Sequence, residues 1–541
     1  GIVGGDGNIL SSEDSGGTWT RHNGIIDTDT VWEASKSPYV VTGSVLVSEG
    51  VKLTIEDGVE VKFASGAGLT IFGELVAQGT SGSGITFTSA QDGKAAGDWG
   101  PITFMGTSDD ASYGGSGDYA SGSILEYCTV EYGKGITATD SSPYINQNTI
   151  RYNIAEDINQ TNYGENRDAV VRVISEAVAN KTATFKITNN VLSNNSGGSG
   201  IYFTHYGTVL IDSNIIKDSN FGGSGGDGGA VMMSSGEYGI RIGIGLNDIT
   251  VSNNTVEDNT GGSGIYVYGG KEYYISSSSG TSNIVVSDNV VSRNDGVGIN
   301  GAYFSSITGN VISGNSTGFK GGFSHAGGSG SFSKNYILNN NGRGVDIKGS
   351  IAVADNIISG NGGTALYYEA YYDDDQLYEN GHLARASQVV SGNIISNNTG
   401  SPVVYFYAKY KIRNSLVGYD VIGNSVFQNN TVVGNSGNPT IKLREITATE
   451  DPADVHKHAK LVFKDNNIHS NTGTYDLETE NPLQESALNI ENNYWGTSDA
   501  SAIASRVYDW NDDTSVGLVD YDPFESSIIT SNPIAPPTGL S

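Results

Sequence analysis

The residues best suited to chemistry lie in two tyrosine-rich stretches. Residues 366–380 read LYYEAYYDDDQLYEN, and residues 403–407 read VVYFY. Tyrosine rings can stack on sugar rings, and neighbouring carboxylates can hold sugar hydroxyls or Ca²⁺. The alternative is a solvated acidic loop that packs its tyrosines against the protein or a neighbouring subunit. The chemical interpretation predicts glycan contacts by Tyr368, Tyr371, Tyr372, Tyr405 and Tyr407, and Ca²⁺ ligation by Glu369, Asp373, Asp374 and Asp375.

A second set of residues could neutralise an anion or transfer a proton. His205, His325 and Lys348 follow corners of a repeated segment and could share one face, and Arg343 lies close to Lys348 in the sequence. Such side chains can serve in general acid–base catalysis. Each is also common on a protein surface, so a catalytic role for the set is a hypothesis.

Two weaker patterns are nonspecific. His456 and His458 could bind a divalent metal with Asp454, but two histidines without a further well-placed ligand are typical of a polar loop. Glycoside hydrolysis needs a pair of carboxylates, which Asp227 or residues 373–375 could supply. Any acidic surface offers such pairs.

These residues interrupt a repeat. Residues 249–259, 284–294, 306–315 and 351–361 share one frame, in which apolar and polar residues alternate around an Asn. Recurrence at intervals of tens of residues is typical of a solenoid, and the alternation predicts short strands. We expect the Asn side chains to form a hydrogen-bonded ladder between turns. The predicted ladder residues are Asn190, Asn214, Asn254, Asn289, Asn310, Asn335, Asn356, Asn393, Asn430, Asn467 and Asn493.

Composition excludes some partners. The 541 residues include 75 Gly, which suits many tight corners, and the 59 acidic against 29 basic residues give a net charge of −30. Nucleic acids and anionic membranes favour cationic surfaces, so neither is expected as a partner. No apolar run is long enough to span a bilayer, and we expect a secreted, extracellular or cell-surface protein. Cys128 lies in an alternating strand and is expected to be buried.

The opening turns resemble a known family. Residues 73–89 read GELVAQGTSGSGITFTS, residues 98–104 read DWGPITF, and residues 124–133 read ILEYCTVEYG. These segments resemble secreted right-handed parallel β-helix proteins of the pectate-lyase-like superfamily. The resemblance implies an all-β solenoid of about fourteen coils over residues 31–526, with loop insertions. Independently of the resemblance, the alternation of apolar residues predicts that the inward residues of the first coils are Val45, Val47, Leu53, Ile55, Val59, Val61, Phe63, Leu69 and Ile71.

The resemblance implies a fold rather than one activity, because the superfamily includes lyases, hydrolases, epimerases and adhesins. Its plan for polysaccharide β-elimination needs a cation or Ca²⁺ to neutralise a uronate carboxylate, and a Lys, Arg, His or Tyr base on one exposed sheet. No cofactor is otherwise required, and Ca²⁺ is a candidate.

The two ends carry other signals. Residues 12–19 follow the S-x-D-x-G-x-T-W order of an Asp-box, which predicts a hairpin within an N-terminal extension over residues 1–30. Residues 489–526 resemble a terminal coil whose cap includes Tyr494, Trp495 and Phe524, and residues 527–541 read as a proline-rich linker to a further module. Within the repeat, the interval from Asp168 to Ala179 could form a short helix.

The leading functional prediction is a non-catalytic extracellular structural or adhesion protein. Such a rod would belong to a cell-surface layer or fibre, self-associate or bind other extracellular modules, and contact glycan or Ca²⁺. The alternative is a polysaccharide lyase or glycoside hydrolase that acts on an extracellular polysaccharide.

Overall fold

The structure, a computed structural model, describes most of the chain. The described residues are 10–14, 17–155, 168–174, 183–204, 207–221, 228–234, 248–268, 283–302, 304–322, 330–349, 351–370, 388–408, 423–445, 459–481 and 487–532.

The chain divides into two compact units. The first comprises residues 1–266, 280–284 and 294–296, and the second comprises residues 267–279, 285–293 and 297–541. Each unit consists of β-helical turns. A turn contains three short strands, which we call its first, second and third strand in chain order, and equivalent strands of neighbouring turns pair in parallel. The chain is therefore an all-β, right-handed parallel β-helix, as predicted.

The first unit contains these strands. Its first strands are Thr30–Trp32, Lys52–Ile55, Glu74–Gln78, Ile124–Glu126, Tyr144–Asn146, Thr184–Thr188, Thr208–Asp212 and Asp248–Ser252. Its second strands are Glu60–Phe63, Ile85–Ser89, Cys128–Glu131, Thr149–Arg151, Val191–Ser193, Ile215–Lys217 and Thr255–Glu257. Its third strands are Leu69–Ile71, Ile102–Phe104, Ile136–Thr139, Ala169–Ile174, Ser199–Thr204, Gly228–Ser234 and Gly262–Tyr268, the last of which ends in the second unit. Tyr39–Val47 serves as both a second and a third strand, and Ser112–Tyr113 pairs with Tyr119–Ser121 in a separate hairpin.

The second unit repeats the pattern. Its first strands are Asn283–Ser287, which begins in the first unit, Ser306–Thr308, Ser331–Ser333, Ala352–Ala354, Gln388–Ser391, Gly423–Gln428 and Ala459–Lys464. Its second strands are Val290–Ser292, Val311–Ser313, Tyr336–Leu338, Ile357–Ser359, Ile394–Ser396, Thr431–Val433 and Asn467–His469. Its third strands are Val297–Ala302, Thr317–Gly322, Val345–Lys348, Leu366–Ala370, Val404–Ala408, Ile441–Glu445, Leu477–Thr479 and Val507–Tyr508, and Leu488–Asn489 pairs with Val519–Asp520.

Alternation fills the core, because successive residues of a strand point to opposite faces. The nine inward residues predicted between Val45 and Ile71 are all at most 1% exposed. Cys128 is also buried, and burial raises the pKa of its thiol. Its predicted role as a small apolar core residue is confirmed.

An asparagine ladder occupies the corner between first and second strands, as predicted. In the first unit it runs through Asn148, Asn190, Asn214 and Asn254, whose side-chain amides donate to the next Oδ1 at 2.9–3.0 Å. In the second unit the ladder residues are Asn289, Asn310, Asn335, Asn356, Asn393, Asn430, Asn466 and Asn493.

The predicted ladder position at Asn467 is wrong by one residue. Asn466 accepts from Asn430 and donates to Asn493, whereas Asn467 begins the next strand. The residue before a ladder asparagine takes a left-handed backbone, as Asp465 does with φ 57°. In the sequence DNN either asparagine fits the pattern, and only the position of this bend separates them.

A second ladder, which was not predicted from the sequence, lies at the corner between second and third strands. Its members in the first unit are Asn153, Asn195, Ser219, Asn259 and Asn294. Its members in the second unit are Asn315, Asn340, Asn361, Asn398, Asn435 and Asn471. Both corners therefore satisfy their backbone groups with buried amides.

The predicted helix over residues 168–179 is wrong for the residues that the structure describes. Ala169–Ile174 is a third strand that pairs in parallel with Ile136–Thr139 and Ser199–Thr204. Its sequence AVVRVI is rich in β-branched residues, which favour strands. Residues 175–182 lie outside the described part of the chain.

The chain ends have the expected secondary structure in part. Leu10–Asp14 pairs with Gly17–Ile26 as an antiparallel hairpin, whereas the Asp-box identity of this hairpin stays a prediction. Near the other end, Trp495 is 4% exposed, and the short helix Ala500–Ala504 buries Ile503. Among the described residues, no helix is long and apolar enough to cross a membrane.

His22 should make the stability of the first unit depend on pH. Its ring packs on Trp32 at 4.9 Å and Tyr39 at 5.3 Å between centroids, and burial lowers its pKa from 6.5 to about 4. Between these two values the unfolded chain binds the proton more readily, so the free energy of unfolding falls as pH decreases from about 6.5 to 4. We expect His22→Gln to flatten this dependence in thermal unfolding measured across that range. An unchanged slope would contradict the assignment.

Candidate functional site

The candidate site is the outward surface of the third strands in the second unit. We call the outward side chains of Thr317–Gly322, Val345–Lys348, Leu366–Ala370, Val404–Ala408, Ile441–Glu445 and Leu477–Thr479, with Arg343 and Glu480 beside them, the third-strand face. Sequence insertions follow these strands at residues 371–387, 409–422 and 446–458, which lie outside the described residues.

Strand register aligns the face in two rows. The first row contains Lys320, Asp346, Tyr367, Tyr405, Lys442 and Glu478, each opposite the next across a parallel pair. The second row contains Lys348, Glu369, Tyr407 and Arg444. Because the strand period is two, apolar neighbours such as Val345, Ile347, Ile441 and Leu443 are buried on the opposite side.

Three tyrosines form the centre of this face. The rings of Tyr367 and Tyr405 stack with centroids 5.1 Å apart and planes 12° apart. The ring of Tyr407 meets that of Tyr405 edge-on at 6.2 Å. Tyr367 and Tyr405 are partly exposed and can contact the apolar faces of sugar rings, whereas Tyr407 is only 8% exposed.

Two arginines flank the tyrosines. The guanidinium carbon of Arg343 lies 4.1 Å from the centre of the Tyr367 ring, and Arg343 pairs with Asp346 at 2.7 Å. The guanidinium carbon of Arg444 lies 5.0 Å from the centre of the Tyr407 ring. Planar guanidinium groups suit recognition of a carboxylate.

Carboxylates connect the tyrosines to lysines. The Tyr405 hydroxyl donates to Glu480 at 3.0 Å, and Lys442 pairs with Glu480 at 2.8 Å and with Glu478 at 2.9 Å. The Tyr367 hydroxyl donates to Glu369 at 3.3 Å, and Lys348 lies 3.6 Å from that carboxylate. The face therefore carries tyrosine hydroxyls that point at acceptors within a network of charges.

The network sets the protonation of these groups. Burial, and then the carboxylate of Glu480, raise the pKa of Tyr405 well above its usual range. Burial and Glu369 also raise the pKa of Tyr367, although Arg343 acts in the opposite direction. Burial works against the charge on Lys442, but hydrogen bonds to Glu480 and Glu478 outweigh it and raise its pKa. At neutral pH both tyrosine hydroxyls are therefore protonated and donate hydrogen bonds to Glu369 and Glu480.

The structure brings five of the predicted site residues to this face. They are Arg343, Lys348, Glu369, Tyr405 and Tyr407. The remaining sequence candidates, His205, Asp227, His325, Tyr371, Tyr372, Asp373, Asp374, Asp375, Asp454, His456 and His458, lie outside the described residues.

The predicted glycan contact by Tyr368 is wrong. Its side chain is 0% exposed, its ring stacks on Phe406 at 5.2 Å, and its hydroxyl donates to the Ile351 carbonyl at 2.7 Å. The strand period turns Tyr367 outward and Tyr368 into the core, so only one of two adjacent tyrosines can meet a ligand.

Several residues of the face were not selected from the sequence. Asp346, Lys442, Arg444 and Glu480 come from segments without an unusual composition. Their alternation with buried residues, as in IKLRE at 441–445, was a signal that could have placed them once the strand register was known.

Among the described residues, no group of three or more His, Cys, Asp or Glu side chains is arranged to hold a metal ion. Three of the four predicted Ca²⁺ ligands lie at residues 373–375, outside that part of the chain. The Ca²⁺ site therefore stays a prediction.

Comparisons with known proteins agree with the fold. Residues 24–163 match the model of a pectate-lyase like beta helix domain, and residues 175–330 match that of a right handed beta helix region. The chain is accordingly a right-handed parallel β-helix protein. No curated protein sequence matches it.

Solved structures with this architecture share little sequence with the chain. A mutant of the periplasmic alginate epimerase AlgG is 12% identical, with 79% of this chain and 85% of that chain covered and a TM-score of 0.33. The A-module of the mannuronan C-5 epimerase AlgE4 from Azotobacter vinelandii is 13% identical, with 80% and 91% covered and a TM-score of 0.22. A mannuronic acid specific polysaccharide family 6 lyase from human gut microbiota is 12% identical, with 88% and 87% covered and a TM-score of 0.22. Similarity at this level concerns the fold alone.

The leading prediction of a non-catalytic surface, adhesion or fibre protein is wrong. The three matched structures are named as two polysaccharide epimerases and a polysaccharide lyase, whereas the alternative prediction was a polysaccharide lyase or glycoside hydrolase.

Proposed function

We propose that the protein is a polysaccharide-modifying enzyme that binds an acidic extracellular polysaccharide along the third-strand face. Its reaction class is removal of the C-5 proton of a uronate, followed by elimination or epimerisation. The observation that carries the proposal is the continuous layer of Arg343, Tyr367, Tyr405, Tyr407 and Arg444 across neighbouring turns.

The layer fits an extended sugar chain. Neighbouring parallel strands are about 4.8 Å apart, so equivalent outward side chains recur at that interval along the stack. The 5.1 Å separation of the Tyr367 and Tyr405 rings reflects this spacing. A linear polymer that follows the stack would meet a similar aromatic and cationic surface at successive turns.

The charge distribution supports an anionic ligand. The chain as a whole has 59 acidic and 29 basic residues, and its net charge of −30 repels a polyanion. On the third-strand face the cations Lys320, Arg343, Lys348, Lys442 and Arg444 alternate with carboxylates instead of being outnumbered about two to one. This face is therefore a place where a uronate carboxylate can find a guanidinium partner.

The proposed chemistry begins at the uronate C-5 atom. A guanidinium that pairs with the carboxylate stabilises the negative charge that develops when a base removes the C-5 proton. If the bond from C-4 to the glycosidic oxygen then breaks, a double bond forms between C-4 and C-5, and the leaving oxygen takes a proton. If a proton instead returns to C-5 from the opposite side, the sugar is epimerised.

The described residues supply two of these roles. Arg343 and Arg444 are the proposed carboxylate partners, since their guanidinium carbons lie 4.1 Å and 5.0 Å from the ring centres of Tyr367 and Tyr407 within this layer. Tyr405 is the proposed proton donor, because its partly exposed hydroxyl lies beside the stacked Tyr367 ring and donates to Glu480 at 3.0 Å. The base that removes the C-5 proton is predicted to be His205 or His325, which lie outside the described residues.

A substrate panel of alginate, polygalacturonate and a neutral glucan tests the proposal. Ultraviolet absorbance reports an unsaturated elimination product, and deuterium incorporation at C-5 from D₂O reports proton exchange by an epimerase. We expect activity on an acidic polymer alone, and a fall of about 100-fold in Arg343→Ala through lost charge stabilisation. Assays with and without Ca²⁺ also test the predicted ligands Glu369 and residues 373–375.

Arg293→Ala is the matched control, because Arg293 lies at a corner beside Ser292 and not on the third-strand face. It should retain full activity. Absence of both elimination and deuterium exchange on every acidic polymer, from folded protein, would overturn the proposed function.

A further inference from the structure

A second aromatic surface lies in the first unit. The rings of Tyr132 and Tyr152 stack with centroids 5.4 Å apart and planes 11° apart. Tyr152 is 39% exposed, and Tyr132 is partly exposed. These rings follow the second strands Cys128–Glu131 and Thr149–Arg151, so they belong to a corner and not to a sheet face.

The backbone at these tyrosines is unusual. Tyr132 and Tyr152 have φ of 62° and 55°, in the left-handed region that bulky residues rarely adopt. At equivalent corners of later turns in the same unit the residues are Asn194, Asp218 and Asp258, which tolerate this conformation better. A large ring at such a position costs conformational energy, as it also does at Tyr127, where φ is 50°.

Cations border the two rings. Lys94 Nζ lies 5.6 Å from the centre of the Tyr132 ring, and the Arg151 guanidinium carbon lies 5.7 Å from that of Tyr152. Glu131 pairs with Arg151 at 2.9 Å and lies 3.9 Å from Lys94. Beside the rings one carboxylate thus stands against two cations, and further along the surface the carboxylates of Asp218 and Asp258 line a groove.

The surface continues into an open groove. Beyond Tyr152 the groove is lined by the polar side chains of Asn194, Asp218, Asp258 and Thr260. Amide, carboxylate and hydroxyl groups can bind sugar hydroxyls, while the two rings offer a flat apolar contact. A sugar on the rings can place a carboxylate beside Arg151 and a following sugar in the polar groove.

We propose that Lys94, Tyr132, Arg151 and Tyr152 form a second, non-catalytic binding site for an acidic polysaccharide. The site holds the polymer through ring stacking and a carboxylate–guanidinium pair. Its ligand class follows from its own rings and cations, so the site does not depend on catalysis at the third-strand face.

Affinity electrophoresis of the full chain in gels with alginate, polygalacturonate or a neutral glucan tests this site. The main variant is Tyr152→Asn, which gives the corner the residue type of position 194 and so suits the left-handed backbone. We expect its Kd for an acidic polymer to rise by about tenfold, which corresponds to loss of one stacked ring. The matched control is Tyr336→Ala, which removes a partly exposed ring from another strand of the chain.

The Arg343→Ala/Arg444→Ala double variant separates the two sites. The double variant should lose activity, but acidic polymer in the gel should still retard it, and this retardation should depend on Tyr152. The single variant Tyr152→Asn should have normal activity on short oligosaccharides. If the wild-type protein proved inactive but acidic polymer still retarded it through Tyr152, the proposed enzyme function would be wrong and the second binding site would stand. Equal Kd values for Tyr152→Asn and Tyr336→Ala, or no retardation of the double variant by any acidic polymer, would overturn the second site.

Discussion

Tyr405→Phe is expected to lower kcat by about 100-fold or more, with a smaller change in KM. The substitution keeps the ring that stacks on Tyr367 and removes only the hydroxyl that donates to Glu480 at 3.0 Å. Loss of a positioned general acid typically costs at least about two orders of magnitude. Because Glu480 remains paired with Lys442 at 2.8 Å, the carboxylate keeps a partner and the fold should be preserved.

The measurement is steady-state kinetics on whichever acidic polymer the wild-type protein modifies. Tyr144→Phe is the matched control, because its hydroxyl lies 3.1 Å from that of Thr188 on a first strand of the other unit. A Tyr405→Phe protein with the kcat of Tyr144→Phe would show that Tyr405 does not donate the proton. Loss confined to KM would assign Tyr405 to binding alone.

Asn393→Ala should produce the largest loss of stability. Asn393 is fully buried, and its Oδ1 accepts from the backbone and side-chain nitrogens of Asn356, both at 3.0 Å. Its amide also donates to Val353, Ser391 and Asn430 at 2.9–3.1 Å. Removal leaves buried donors and acceptors without partners, so we expect the free energy of unfolding to fall by about 3 kcal/mol or more.

Urea unfolding followed by circular dichroism measures this change. The control is Asn341→Ala, since Asn341 is exposed and precedes no ladder position. Equal unfolding midpoints for the two variants would mean that the ladder contributes little stability. Unfolding in a solenoid can begin locally, so a broadened transition for Asn393→Ala would locate the weakened turns in the second unit.

The repeat made the fold predictable, whereas the site depended on register. Alternation correctly placed Val45 through Ile71 inward, because burial of every second residue leaves a direct trace in the sequence. Adjacent equivalent residues were harder to separate. Tyr367 and Tyr368 are adjacent residues of one type, as are Asn466 and Asn467. The sequence does not show which member of each pair points outward or joins the ladder, because this depends on the residue at which the backbone bends.

The residues Lys442 and Arg444 illustrate the other limit. Nothing in their own segment marks them as functional, and they reach Tyr405 and Tyr407 only through pairing between strands about forty residues apart. Local composition instead favoured residues 371–375, which follow the strand Leu366–Ala370 that contributes Tyr367 and Glu369 to the candidate site. Local richness in tyrosine identified the turn that contributes Tyr367 to the candidate site, but not its neighbours Lys442 and Arg444.

The repeated asparagine corners make a β-helical turn an exchangeable module. Within each unit a turn meets its neighbours through the same amide contacts, so duplication or deletion of one complete turn would conserve the corner bonds on both sides of the change. Each such event would alter the length of the third-strand face by about 4.8 Å. The length of the proposed polymer-binding surface can thus change among descendants independently of sugar preference, which individual outward residues would determine.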